Sequence, residues 1–226
     1  MTRRLLLVRH GVSTWNREGR FQGHLDPPLD ASGVTEARRL ATRLVREELP
    51  ALRIVSSPLR RATATAEALV TALAAAGEAP DLSTDARLME IGQGDWEGLT
   101  HNELEAADPD RYAAWRADGG SSQPPGAEPL VDAQRRVAAA VDELTDEPAA
   151  AICLVSHGGI LRLAARHLLG LDLARAWSMD VDNASLSQLS REDGELWRLD
   201  AWNDTGHLLG HGPQHQDEVD GAPLAL

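Results

Sequence analysis

Cysteine is almost absent from this chain of 226 residues, which contains only Cys153. A single cysteine cannot form an intramolecular disulfide framework. It lies in the apolar run 151–155, where a small buried thiol is the expected role. A chain of this length can bury about 70 % of the surface that its unfolded form exposes. We therefore expect a stable fold without disulfides or a structural metal.

Long apolar runs and an excess of basic residues are also missing. The first apolar stretch, residues 5–8, is too short for a signal peptide or a membrane span, so we expect a cytoplasmic protein. The 22 basic residues are outnumbered by 35 acidic ones, giving a formal net charge of -13. This charge opposes binding to nucleic acid or to anionic lipid, and we expect neither as a partner. An anionic substrate must then be attracted by individual arginines.

Strand and helix patterns alternate along much of the chain. The apolar spacing predicts strands over residues 4–9, 53–56, 150–156, 184–189 and 196–202. It predicts helices over residues 31–48, 59–76, 130–144 and 158–169, the first with Asp30 as its N-cap. Such alternation indicates an α/β fold: a three-layer sandwich with a mostly parallel central sheet and helices on both faces.

One domain over residues 1–204 is expected, because no linker divides the chain. Residues 90–129 are rich in glycine and proline and indicate an insertion that caps the active site. Residues 205–226 lack periodicity and predict a mobile C-terminal tail. Three histidines of this tail are four residues apart, but glycine and proline interrupt any helix there, so we expect no metal site from His207, His211 and His215.

Two histidines, His10 and His157, each follow a short apolar strand and precede glycine. The carboxyl ends of neighbouring strands meet where α/β sheets bind ligands. The adjacent glycines let backbone N–H groups approach an oxyanion, and the helix after Gly158 adds its positive N-terminal end. One such histidine would more often only end a strand. Two of them, with Arg9 beside the first, favour a phosphate site.

A neutral imidazole can attack phosphorus directly and form a phosphohistidine that water later hydrolyses. The transferred group carries charge on three equatorial oxygens and needs clustered cationic donors. Arg9 and His157 supply two, and Arg61, at the entrance of a helix just after a strand, is a stronger candidate than Arg60 for the third. Glu90 lies between apolar residues, where burial would favour a protonated carboxyl able to act as general acid.

The order of these motifs resembles the histidine phosphatase superfamily, which has the phosphoglycerate mutase-like fold. The resemblance extends over residues 4–202. It is carried, in chain order, by Arg9-His10-Gly11, Trp15-Asn16, Gln22-Gly23, residues 26–29, residues 57–66, Glu90 with Trp96-Glu97-Gly98, and Ser156-His157-Gly158-Gly159.

The resemblance implies a role for each of these positions. His10 would be the nucleophile, Glu90 the acid and then the base, and no cofactor or metal would be required. Arg9, Arg61 and His157 would surround the phosphoryl group. Further polar or backbone contacts to it are implied for Asn16, Gln22, Ser13, Gly23 and Gly158. The chain departs from the family at Val12, where many members carry Glu or Gln, and at Ser13, where Thr is usual.

Three functions remain open at this point. The residues after Glu90 lack the longer, basic, tyrosine-containing segment of the cofactor-dependent mutases, which favours a phosphatase over a mutase. A catalytically inactive phosphate-binding module is the third reading, and the retained set of catalytic residues opposes it. Residues 94–101, 182–185 and 197–203 resemble actinobacterial glucosyl-3-phosphoglycerate phosphatases, which implies that sugar phosphate as a substrate. Apolar edge-strand residues also indicate that a homodimer could form.

Overall fold

The computed structural model describes residues 2–47, 49, 52–117, 122–146 and 150–209. Within these ranges six strands form one sheet with the order β3-β2-β4-β1-β5-β6. The strands are β1 (Thr2–Arg9), β2 (Leu52–Ser56), β3 (Asp81–Thr84), β4 (Ala151–Ser156), β5 (Leu186–Glu192) and β6 (Arg198–Asp204). The four strands on one side, β3, β2, β4 and β1, pair in parallel, whereas β5 and β6 add in antiparallel fashion.

Eight α-helices lie in the described ranges. They are α1 (Thr14–Glu18), α2 (Ala31–Arg46), α3 (Arg60–Ala75), α4 (His101–Ala107), α5 (Pro109–Ala117), α6 (Leu130–Asp146), α7 (Gly158–Leu169) and α8 (Leu173–Trp177). None of them is long and apolar enough to cross a membrane.

Helices cover both faces of the sheet, and the alternation of side chains along β1 shows why. Leu5 and Leu7 point into a core formed with α6 and α7. Leu6 and Val8 point to the opposite face, into a core formed with α2 and α3. A period of two along a strand buried on both sides gives this arrangement. The predicted three-layer α/β fold is confirmed.

The register between β1 and β4 brings the two candidate histidines together. Arg9 is the Cα partner of Ser156 in the parallel pairing, so both strands end at the same level. The next residue on each strand is a histidine. The rings of His10 and His157 lie with their centroids 5.1 Å apart.

The regions between the predicted elements contain more structure than the periodicity indicates. The helices α1 and α8 and the strand β3 were not predicted, because each spans only four or five residues. Residues 90–129 contain α4 and α5. Their apolar side chains pack around the buried ring of Phe21 in a cluster completed by Trp96, Leu104, Tyr112 and Trp115.

The start of the predicted C-terminal tail is part of the folded core. Residues Gly206–Leu208 form a 3-10 turn, and Leu208 is buried. His207 Nε2 lies 3.1 Å from the carbonyl oxygen of Ala184. The periodicity argument failed here because one turn is too short to show a pattern. The remainder of the predicted tail, with His211 and His215, lies outside the described residues.

The first turn of α2 packs on the backbone that follows His10. As predicted, the Asp30 side chain caps this helix, accepting the Gly33 N–H at 2.8 Å. A Cβ atom added to Gly33 would overlap the carbonyl oxygen of Val12, and one added to Gly11 would stand 2.5 Å from Gly33 O. Glycine is thus required on both sides of this contact.

We predict that Gly33→Ala lowers the free energy of unfolding by about 2 kcal/mol, because the added methyl forces two backbones apart. Urea denaturation of the variant and the parent checks this. Thr35→Ala, at an exposed position of the same helix, is the control and should change stability by no more than about 0.5 kcal/mol. Equal stability of Gly33→Ala and the parent would contradict the close contact.

Candidate active site

His10 follows β1 directly and is buried, with 2 % of its surface exposed. Its ring Nδ1 lies 2.7 Å from the carbonyl oxygen of Gly11. Because a carbonyl oxygen can only accept a hydrogen bond, Nδ1 carries the proton and Nε2 retains its lone pair. Burial, and then the positive charges of Arg61 and Arg9, hold the pKa of His10 well below its usual value of 6.5. The ring is therefore a neutral imidazole with a free nucleophilic nitrogen.

Asn183 holds the backbone around His10, a role that the sequence did not indicate. Its amide Nδ2 donates to the carbonyl oxygens of His10 and Gly11, at 3.0 and 3.3 Å. The next residue, Ala184, has a φ of 53° and donates its N–H to His10 O at 3.0 Å. A non-glycine residue in this left-handed region is held there by its surroundings. The similarity of residues 182–185 to a phosphatase group was the only sequence signal for this turn.

His157 is the N-cap residue of α7 and is fully buried. Arg61 Nε donates to its Nδ1 at 3.2 Å, so Nε2 carries the proton and faces Ser57 Oγ at 2.8 Å. Burial, and then the charge of Arg61, hold the pKa of His157 well below 6.5. His157 is therefore neutral in this structure and differs from the cationic donor expected from the sequence.

Arg9 and Arg61 supply the positive charge beside the two histidines. Arg61 is buried, whereas Arg60 is exposed, which agrees with the preference for Arg61. The two terminal nitrogens of Arg61 donate to the carbonyl oxygens of Leu25 and Gly23, at 2.9 and 3.0 Å. The Nε of Arg9 is buried and has no hydrogen-bond partner among the residues that the structure describes. Burial lowers the pKa of each arginine to about 10, so both stay charged at neutral pH.

A third buried guanidinium, that of Arg162 on α7, was missed by the sequence analysis. A Cβ atom built on Gly158 would lie 3.6 Å from both Arg162 Nη1 and Arg9 Cζ, so the two guanidinium groups flank this glycine. Arg162 Nε donates to Met179 O at 2.7 Å. Burial lowers the pKa of Arg162. A helix-interior arginine five residues after a histidine has no local pattern that marks it.

Glu90 reaches the start of α7 from the loop after a 3-10 turn formed by Ala86–Leu88. It is 2 % exposed. Its Oε1 accepts the Ile91 N–H at 2.9 Å, and its Oε2 accepts the Gly159 N–H at 3.3 Å. A Cβ atom at position 159 would stand 2.7 Å from Glu90 Oε1, so glycine at this position makes room for the carboxyl. Backbone donors thus fix both oxygens of the predicted acid.

Ser13, Asn16 and Gln22 form one polar cluster after His10. Ser13 caps α1, and its Oγ donates to Gln22 Oε1 at 2.8 Å. The backbone N–H of Ser13 donates to Asn16 Oδ1 at 3.0 Å. Asn183 Nδ2 lies 3.3 Å from the same Asn16 oxygen, which ties the cluster to the backbone of His10. The capping box occupies the Ser13 N–H that the resemblance assigns to phosphate.

The two predicted glycine contacts lie beside the arginines. Gly23 has a φ of 48° and presents its carbonyl oxygen to Arg61. An added Cβ would collide with the carboxylate of Glu97, which also accepts N–H groups from His24 and Gln93 at 2.9 Å each. Gly158 lies close to both Arg9 and Arg162, as described above.

These residues together form a buried cationic pocket around a neutral nucleophile, in a chain whose net charge is negative. Such a pocket can bind a phosphoryl group and attack it. In the described part of the chain, no group of three or more His, Cys, Asp or Glu residues could hold a metal ion. Cys153 is buried in β4, as expected, and burial raises the pKa of its thiol to about 12.

The chain is similar to known phosphatases over most of its length. The family model of the histidine phosphatase superfamily (branch 1) matches residues 5–205. A glucosyl-3-phosphoglycerate phosphatase of Mycobacterium tuberculosis is 38 % identical over 220 residues, which cover 89 % of this chain and 94 % of that protein. Phosphoserine phosphatase 1 of Hydrogenobacter thermophilus is 35 % identical over 193 residues, covering 84 % and 87 %.

The fold is also similar to solved structures. A structure of mycobacterial glucosyl-3-phosphoglycerate phosphatase in complex with VO3 matches with a TM-score of 0.75 and 38 % identity. The match covers 89 % of this chain and 98 % of that one.

The neutral state of His10 predicts how stability depends on pH. Because the pKa of His10 is lowered in the folded state, only the unfolded chain takes up this proton as pH falls below about 6.5. Stability should therefore decrease from pH 7 to pH 5. In His10→Asn, the slope of the free energy of unfolding against pH should be smaller by up to about 1.4 kcal/mol per pH unit, the value for one proton.

Urea unfolding at a series of pH values measures this slope. Asn183→Ala is the matched control: it removes a neighbouring hydrogen-bonding group that does not titrate, so it should retain the slope of the parent. An unchanged slope in His10→Asn would show that His10 is protonated in the folded protein.

Proposed function

This chain belongs to the histidine phosphatase superfamily, and on that premise we propose that it hydrolyses phosphomonoesters through a phosphohistidine on His10. One observation carries the proposal. The His10 ring is neutral, keeps its Nε2 lone pair free because Nδ1 bonds to Gly11 O, and lies among the buried charges of Arg9 and Arg61. This combination unites a nucleophile with the groups that attract its anionic target.

In the first half of the reaction, His10 Nε2 attacks phosphorus and the bond from phosphorus to the ester oxygen breaks. Arg9 and Arg61 stabilise the charge on the three equatorial oxygens, with His157 as a further donor. Glu90, in its protonated form, gives its proton to the departing alkoxide. The alcohol leaves, and Glu90 remains as a carboxylate.

In the second half, water takes the place of the released alcohol. The Glu90 carboxylate removes a proton from this water, whose oxygen attacks phosphorus as the bond to Nε2 breaks. Inorganic phosphate leaves, Glu90 is again protonated and His10 is again neutral. Nδ1 keeps its proton, which stays hydrogen-bonded to Gly11 O throughout. When the bond from phosphorus to Nε2 breaks, Nε2 therefore regains its lone pair and takes up no proton.

The polar residues after His10 are proposed as substrate-binding groups. Asn16 and Gln22 would contact the phosphoryl group through their amides, and the backbone near Ser13, Gly23 and Gly158 would add N–H donors, that of Ser13 by exchanging its capping bond to Asn16 Oδ1 for the phosphate. Support comes from the hydrogen-bonded cluster of Ser13, Asn16 and Gln22 and from the position of Gly158 close to two guanidinium groups. The proposed site contains no metal, because arginines supply the positive charge that a cation would otherwise provide.

The substrate proposed is a small phosphorylated metabolite, with glucosyl-3-phosphoglycerate as the first candidate. The similarity to mycobacterial phosphatases of that name supports this choice. Phosphoserine is the main competitor, since a phosphoserine phosphatase is similar over nearly as much of the chain. Mutase-type transfer of the phosphoryl group to a second hydroxyl is the alternative that the assay below must separate.

The remaining features of the organisation are proposals of the same kind. Residues 1–204 would form one catalytic domain with residues 90–129 as its cap, and residues 205–226 would follow as a tail. The protein would act in the cytoplasm on a small molecule, without nucleic acid or membrane, and could form a homodimer. The contact of His24 with the Glu90 carbonyl supports a cap near the pocket, because it joins the loop after α1 to this segment.

Two substitutions test the assigned roles. His10→Ala should abolish turnover and the incorporation of phosphate label into the protein. Glu90→Gln should reduce kcat about 10²-fold or more for alkyl phosphates but much less for p-nitrophenyl phosphate, whose leaving group needs no proton. Steady-state kinetics with both substrates measure the difference. Equal losses for the two would exclude Glu90 as the acid for the leaving group.

A substrate panel tests the proposed reaction. Of the three substrates glucosyl-3-phosphoglycerate, phosphoserine and 3-phosphoglycerate, the first should have the highest kcat/KM. A parallel mutase assay should detect no transfer of the phosphoryl group between hydroxyls. Addition of a chelator should leave the rates unchanged. A higher value for phosphoserine would reassign the substrate, and loss of activity in the chelator would contradict the metal-free mechanism.

A further inference from the structure

Arg136, on α6, binds the backbone of the segment that carries Glu90. Its Nη1 donates to the carbonyl oxygens of Arg87 and Met89, at 2.6 and 2.7 Å. Its Nη2 donates to the carbonyl oxygen of Glu90 itself, at 3.1 Å. Three main-chain oxygens around the proposed acid are therefore held by one guanidinium group.

Glu128 completes this arrangement from the other side of Glu90. Its carboxylate accepts hydrogen bonds from Nε and Nη2 of Arg136, at 2.7 and 2.8 Å. The same carboxylate accepts the Gly92 N–H at 3.3 Å, and the Glu128 N–H donates to Gly92 O at 2.9 Å. The two bonds from Arg136 to Glu128, added to the three bonds to carbonyl oxygens, use all five N–H donors of the guanidinium.

The pair fixes the backbone on both sides of Glu90 while the Glu90 side chain points elsewhere. Its carboxyl oxygens bind the N–H groups of Ile91 and Gly159, and neither contacts Arg136. The Arg136 and Glu128 side chains are only 19 % and 17 % exposed, so the ion pair is partly shielded from solvent. A bidentate pair with this shielding is more rigid than the exposed pairs of the surface.

We propose that Arg136, held by Glu128, is a positioning residue that aims the Glu90 carboxyl at the leaving group. The inference rests on the proposed function, because it gives Glu90 the role of general acid. Proton transfer in the transition state requires the acid within hydrogen-bond reach of the departing oxygen, and small displacements reduce the rate strongly. Arg136 sets this distance through backbone atoms and does not touch the reacting groups.

The critical test is Arg136→Lys, which keeps the positive charge but loses the planar guanidinium with its five N–H donors. An ammonium has three donors and cannot bridge a carboxylate and three carbonyl oxygens. We expect kcat for 3-phosphoglycerate to fall about tenfold or more, while kcat for p-nitrophenyl phosphate falls less than about threefold. Arg135→Lys is the matched control: this neighbour on α6 has a side chain 74 % exposed and pairs with Asp132 at the surface, so both rates should stay at the parental values.

A double-mutant cycle separates positioning from general damage. In a Glu90→Gln background, Arg136→Lys should cause almost no further loss of kcat for 3-phosphoglycerate, since the acid it aims is already gone. Additive losses, or equal losses for the two substrates, would overturn the proposal. If Arg136→Lys does not fold, Glu128→Gln takes its place with the same two expected results. It weakens the ion pair that holds the Arg136 guanidinium in position, and it does so from outside the pocket.

Failure of the proposed function has a different signature. A wild-type protein that forms no phosphohistidine and hydrolyses neither substrate would overturn the reaction itself, whatever Arg136 does. A wild-type protein that hydrolyses both, with an Arg136→Lys variant that slows them equally, would overturn only the positioning role.

Discussion

The burial of positive charge beside two histidines determines much of this structure. Arg9 and Arg61 donate to neutral acceptors, and within the described ranges neither forms an ion pair with a carboxylate. Burying a charge without an opposite partner costs free energy, which is why the pKa of each is lowered to about 10. Burial, and then these charges, keep the pKa values of His10 and His157 well below 6.5, so both rings are neutral. An anion entering the pocket would relieve the cost of the buried charges, so the proposed affinity for phosphate and the neutral state of the proposed nucleophile have related physical origins.

The sheet supplies the precision that this pocket requires. Parallel pairing of β1 with β4 ends both strands at one level, and the helix after β4 begins where Glu90 arrives from another part of the chain. Small residues are needed at these junctions: Gly33 lets α2 approach the backbone after His10, and Gly159 leaves room for the Glu90 carboxyl. Of the groups proposed as catalytic, Arg61 therefore lies on α3, Arg9 ends β1, and His10 and His157 directly follow β1 and β4.

Local patterns in the sequence were sufficient for the main elements, the layers of the fold and the two histidines after β1 and β4. They could not reveal Arg162, Asn183 or Arg136, because these side chains act through contacts with residues far away in the chain. Short elements such as α1 and β3 were missed for lack of a full period. The protonation of His157 was also mistaken: a sequence shows a histidine near arginines, but only the packed structure shows that burial and Arg61 keep it neutral.

The hold of Arg136 on main-chain oxygens has a consequence for sequence variation. Because the guanidinium recognises carbonyl groups that every residue has, the side chains at positions 87 and 89 are not read by it. Arg87 reaches outward to Asp85 and Glu143, and Met89 is only partly buried. Substitutions at positions 87 and 89 can therefore reshape the surface next to the proposed acid while the hydrogen bonds that hold its backbone are kept.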